Sequence, residues 1–145
     1  MPERETIERA REDAREGKSS STQAGEFVRE EMHHVREGKH GARSPQQAIA
    51  IGLSKARRAG VKLGAPKGSA SLQKKARQDT EAGEHPHHKT SRRRSRATSG
   101  ALKKESRKST SHQALSRQAK RSSSKRGKQA RSAAAMKAAR TRKAA

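Results

Sequence analysis

The chain has 145 residues, 27% hydrophobic and 1% aromatic, with 37 Lys and Arg against 14 Asp and Glu for a net charge of +23. Only twelve residues are Leu, Ile, Val or Phe, far under the roughly 20% below which a strongly charged chain stays disordered. With no Cys, Trp or Tyr and a single Phe, the composition excludes disulfide frameworks, thiol chemistry, cysteine-based zinc fingers and aromatic platforms that stack bases.

The longest apolar stretch, from Ala48 to Leu53, is far short of the 18 or so residues of a membrane span. The first ten residues are interrupted by Glu3, Arg4, Glu5 and Glu8, so no secretory signal is expected.

In chain order, a first helix is expected near 3–16. Pro2 suits its first turn, Glu3, Glu5 and Glu8 lie where the helix dipole favours anions, and Gly17-Lys18 closes it. Its stripe of Ile7, Ala10 and Ala14 can dock but cannot make a core. A second helix is expected near 21–37, capped by Ser20 with Gln23 and stopped at Gly38; Ala24, Phe27, Val28, Met32 and Val35 share one face. The third, near 45–59, opens on Ser44-Pro45 with Gln47 and ends before Gly60. Ile49, Leu53 and Ala56 form its stripe, and the small flank of Ala48 and Gly52 invites close approach by another helix. The second and third helices together read as a hairpin with a core of Phe27, Val28, Met32, Val35, Ile49 and Leu53. A unit this small usually needs a ligand or self-association, so a homo-oligomer through the helical half is expected.

Residues 1–63 carry 13 basic and 10 acidic side chains, and residues 64–145 carry 24 basic and 4 acidic. The boundary falls at Gly64-Ala65-Pro66-Lys67-Gly68. The fold class expected is therefore mostly α, with short N-terminal helices and a helical hairpin over 1–63. A disordered basic linker follows over 64–127, and an Ala/Lys/Arg-rich segment over 128–145 becomes helical on binding.

The basic clusters are candidate phosphate contacts, because Lys and Arg form charge-assisted bonds to phosphate oxygens and release condensed counterions. They comprise Lys74, Lys75 and Arg77, then Arg92, Arg93, Arg94 and Arg96, then Lys103 and Lys104. Further on stand Lys120, Arg121, Lys125 and Arg126, and finally Arg131, Lys137, Arg140, Arg142 and Lys143. Lys55, Arg57 and Arg58, at the basic end of the third helix, are added as contacts to the DNA backbone.

Glu30 with His34 and His33 with Glu37 are i, i+4 pairs, and His85-Pro86-His87-His88 holds three imidazoles in four residues. None of the recognised zinc spacings occurs, so these histidines are expected on a helix surface and in a linker, with no metal and no cofactor. No Ser–His–acid arrangement or phosphate-cradling glycine loop is visible, and so few apolar residues can hardly wall a pocket; no enzymatic activity is expected.

Gly25-Glu26-Phe27-Val28, His33-His34 and the stretch Gln47-Ala48-Ile49-Ala50-Ile51-Gly52-Leu53-Ser54 resemble a family of small, very basic bacterial proteins labelled DNA-binding or plasmid-stabilisation proteins. The stretch from Arg131 to Arg140 is similar to their closing segment and to the Ala/Lys-rich tails of linker histones. The resemblance supplies no catalytic residues. It implies a bacterial DNA-binding or plasmid-associated protein; the charge of the tail and the lack of a base-reading element add the expectation of a cytoplasmic, nucleoid-associated protein that binds duplex DNA without sequence preference. An RNA- or ribosome-associated protein and an interaction adaptor in plasmid maintenance are the alternatives.

Overall fold

A computed structural model describes residues 2–85 and 91–144; His87 and His88 lie outside the described residues. Among the described residues the chain is helical and without strands: α1 (Arg4–Arg15), α2 (Ser20–Arg36), α3 (Pro45–Arg58), α4 (Ala70–Glu84), α5 (Arg92–Lys104), a 3-10 turn (Arg107–Thr110), α6 (His112–Lys125) and α7 (Lys128–Ala144). No helix among them is long and apolar enough to cross a membrane. The helices divide into two compact units, Met1–Ser111 and His112–Ala145.

In the first unit α2 lies between α1 and α3, and α4 docks on α3. Ser19, one residue ahead of the expected cap, accepts the Thr22 amide and starts α2. The Gln23 side chain reaches back to donate to the Lys18 carbonyl instead of completing a capping box at Ser20. Ser44 caps α3 by accepting the Gln47 amide at 3.2 Å, with Pro45 in the first turn. At the end of α2, Gly38 adopts φ +79°, and the paired bonds Gly38 N to Val35 O and Lys39 N to His34 O turn the chain back on itself. That reversal brings the following loop toward the last turns of α2.

The apolar cluster joins α1, α2, α3 and the segment after α3 through Ala10, Ala24, Phe27, Ala56 and Val61, with Ile7 and Leu53 packed against it. Phe27 and Val35 are sealed and Met32 is buried, whereas Val28, Ile49 and Leu53 are half-buried. Ala14 is exposed. Alanine supplies much of the interior, so the helices approach closely where their side chains are smallest. The clearest case is Gly52, where a β-carbon would stand 2.7 Å from Val28 Cα.

The long disordered tail expected from composition is not observed. The compact unit continues through α4 and α5 to Ser111, beyond the Gly/Pro segment at 64–68, and the Ala-rich stretch at 128–144 is a helix in the chain alone. Two physical causes account for the difference. Ala, Lys, Arg and Gln are strong helix formers, and serines mark the starts, Ser69 accepting the Leu72 amide at 3.3 Å and Ser106 the Lys108 amide at 3.1 Å. Docking also needs few large apolar groups: α4 packs through Ala76, Gly83 and a buried Asp79. A β-carbon on Gly83 would meet the Arg57 carbonyl oxygen at 2.6 Å, so the end of α4 rests on the backbone that closes α3. The end of α5 is tied down likewise, because Gly41 N donates to Leu102 O and Ala42 N to Ser106 O.

Candidate functional site

Two kinds of charged feature are built on this frame. The first is the exposed cations of α5 in the first unit and, separately, of α6 and α7 in the second. On α5, Arg92, Arg96 and Lys103 recur four and seven residues apart and share one face. On α6, Arg117, Lys120, Arg121 and Lys125 do the same, opposite the less exposed Leu115, Gln118 and Ser122. Arg117 was absent from the sequence-predicted contacts; its i, i+4 spacing to Arg121 is the signal that finds it once α6 is known to be a helix. On α7, Arg131, Lys137, Arg140, Arg142 and Lys143 are all exposed but surround the helix without a sided stripe. Arg93, Arg94, Lys104 and Arg126 are exposed as well.

On α4, Lys74 and Arg77 are exposed, while Lys75 holds Asp79 at 3.0 Å. The three basic residues of α3 are engaged within the fold. Lys55 is bound between Glu30 at 3.0 Å and Glu31 at 2.7 Å. Buried Arg57 donates to the Gly64 carbonyl, and Arg58 stands 2.7 Å from Asp79. Burial pushes the Asp79 carboxyl up, but bonds from Ser54, Lys75 and Arg58 outweigh it and hold the group below its ordinary value.

The second site is a buried polar cluster at the C-terminal half of α2. Glu30 and Glu31 are consecutive residues, yet both are buried, because α2 is covered by α1 on one side and α3 on the other. Glu30 accepts the Glu3 backbone amide at 3.0 Å and the Lys55 ammonium at 3.0 Å. Burial raises its affinity for a proton, but these donors and Thr6 outweigh that and keep it ionised below the ordinary range. Burial likewise pushes the Lys55 ammonium down, and the two carboxylates more than compensate.

Around them stand two histidines and a surface carboxylate. His34 Nε2 lies 2.9 Å from Glu3 Oε1, and Lys39 Nζ lies 3.1 Å from the same oxygen. The bonds from His34 and Lys39 hold the Glu3 carboxyl down at about 2. The turn at Gly38 carries His40 back over α2, where its Nε2 stands 3.2 Å from Glu31 Oε1. One ligand atom from each of Glu31, His34 and His40 lies within 4.8 Å of the others. Neither Glu31 nor His40 belonged to the pairs singled out by spacing; Glu30–His34 and His33–Glu37 did, and His33 is exposed. A groove of about 300 Å³ between α1 and α2 opens beside the cluster, lined in part by Glu3, Glu30, His34 and Lys39.

No curated protein and no solved structure matches the chain. Residues 15–67, which contain α2, α3 and the buried cluster apart from Glu3 and Thr6, match the model of one family, and over that segment the chain is similar to the Family of unknown function (DUF6496).

Proposed function

We propose that the protein is a non-enzymatic duplex-DNA-binding protein that neutralises backbone phosphates with the cations exposed on α5, α6 and α7. The observation that carries this reading is the imbalance of charge on those helices. Between residues 91 and 144 stand 19 Lys and Arg and a single acid, Glu105, which faces Arg43 at 3.6 Å. Side chains of one sign aligned on a helix repel one another and destabilise it, so a surface of this kind gains from a polyanion that spaces negative charge along its length. The first 63 residues instead hold cations and acids in near balance and spend Lys55, Arg58 and Arg9 on internal pairs.

Duplex is favoured over single-stranded nucleic acid because the chain's one Phe, Phe27, is sealed in the core and there is no Tyr or Trp to stack on a base. The resemblance to basic bacterial proteins labelled DNA-binding or plasmid-stabilisation proteins points the same way, toward a nucleoid- or plasmid-associated role in the cytoplasm. Untagged protein purified at moderate salt should carry DNA that deoxyribonuclease removes and ribonuclease leaves. A polymer destroyed only by ribonuclease would move the reading to RNA, and no polymer at all would favour a protein-binding adaptor.

A further inference from the structure

The cluster at the end of α2 has an arrangement of lone pairs that the fold alone does not satisfy. His40 Nδ1 lies 3.0 Å from the Gly41 carbonyl oxygen, which can only accept, so Nδ1 carries the proton. In the neutral ring Nε2 then presents a lone pair, and it points at Glu31 Oε1 at 3.2 Å, another group that can only accept. His34 repeats the pattern: its Nε2 donates to the ionised Glu3 carboxylate at 2.9 Å, which leaves the lone pair on Nδ1. Glu31 is fully buried, and neither of its oxygens receives a well-directed hydrogen bond, although Lys55 Nζ is 2.7 Å from Oε2. Lys55 thus supplies a cation on the Oε2 side only, and Oε1 of this buried carboxylate is left facing the His40 lone pair, a placement that a further cation would relieve.

We propose that Glu31, His34 and His40 form a binding site for a divalent cation of the zinc class. The donor set is two imidazoles and one carboxylate, with a fourth position left for water, a combination that suits zinc. Each ring is oriented from behind by an acceptor, Gly41 O for His40 and Glu3 for His34, as metal-bound histidines are. Both side chains are nearly covered, at 12% and 17% exposure, and the groove beside Glu3 and Lys39 reaches His34. Lys55 occupies the far oxygen of Glu31 together with Glu30, which leaves Oε1 to the cation. Tetrahedral zinc with bonds of about 2.0 to 2.1 Å needs ligand atoms roughly 3.3 Å apart, so the 4.8 Å cluster closes by small side-chain rotations. Bound there, the ion would tie the loop after Gly38 to the last turns of α2.

The test is calorimetric titration of the full chain with zinc sulfate, with cobalt(II) chloride as a spectroscopic substitute. The protein is freed of metal beforehand, and the titrations are run in a background where His85, His87 and His88 are Gln. That background removes the competing run of imidazoles. The expected result is one zinc ion per chain, a rise in the melting temperature, and visible cobalt bands of tetrahedral intensity. His40→Ala should lose at least tenfold in affinity while its circular dichroism without metal equals the parent's. His33→Ala, on the exposed neighbour, should bind as the parent does. Absence of binding heat in the His85/His87/His88 background would overturn the proposal and leave the two lone pairs to protons. Unchanged affinity in His40→Ala would overturn it as well.

Discussion

Arg58 Nη2 stands 2.7 Å from Asp79 Oδ1, and this pair fastens α4 to α3 across the Gly/Pro segment that composition marks as the start of a tail. Asp79 is 2% exposed and also accepts the Ser54 hydroxyl at 2.6 Å and the Lys75 ammonium at 3.0 Å. This carboxylate, together with buried Ala76 and the close approach at Gly83, docks a largely polar helix on α3.

Because the folded-state pKa of Asp79 lies below its ordinary value of 3.8, its contribution is fully present above that value and is lost as pH falls through the lower, native one. Melts of the parent should therefore lose stability on acidification below about pH 4, and Asp79→Asn should be less stable at neutral pH with a flatter acid limb. Equal acid limbs for parent and variant would show that the Asp79 contacts do not hold α4.

Gly52→Ala should be destabilising although alanine is the better helix former by about 1 kcal/mol. The added β-carbon would meet Val28 Cα at 2.7 Å and push α2 and α3 apart, and overpacking of this kind costs about 1 to 3 kcal/mol. Chemical denaturation of the two proteins gives the sign directly; a more stable alanine variant would mean that the helices can separate freely.

Phe27→Ala should cost about 3 to 5 kcal/mol, enough to unfold α1 to α3 in a unit whose interior is otherwise largely alanine. Leu53→Ala, at a half-buried position on the edge of the same cluster, should cost less. Thermal melts by circular dichroism order the two; Leu53→Ala proving the worse would relocate the core.

What the sequence showed and what it hid follow from the reach of each interaction. Capping at Ser44, the stop at Gly38 and the close approach at Gly52 depend on residues a few positions apart, or on one small residue, and so were legible. The basic half is helical through propensity, serine caps on α4 and the 3-10 turn, and one buried carboxylate, none of which raises the count of large apolar residues. The Glu31–His34–His40 cluster was hidden because His40 joins α2 only after the chain reverses at Gly38, so no helical spacing links it to Glu31. Lys55 looked like a phosphate contact because it ends a basic helix; only the packing of α3 on α2 shows its partners to be Glu30 and Glu31.

The central claim, that exposed helical cations bind duplex DNA through its phosphates, is tested most directly by the salt dependence of affinity for two unrelated duplexes of equal length. With about eight cations engaged, log K should fall against log salt with a slope of about −7, so that raising salt from about 50 to about 200 mM weakens binding by roughly 10⁴ on both duplexes alike. Replacing Arg117, Lys120, Arg121 and Lys125 by Gln should flatten the slope by up to about four units and leave the two duplexes equally bound, with helix content unchanged by circular dichroism. A parent slope shallower than about −2, or discrimination between the duplexes beyond about a hundredfold, would contradict phosphate neutralisation as the mechanism.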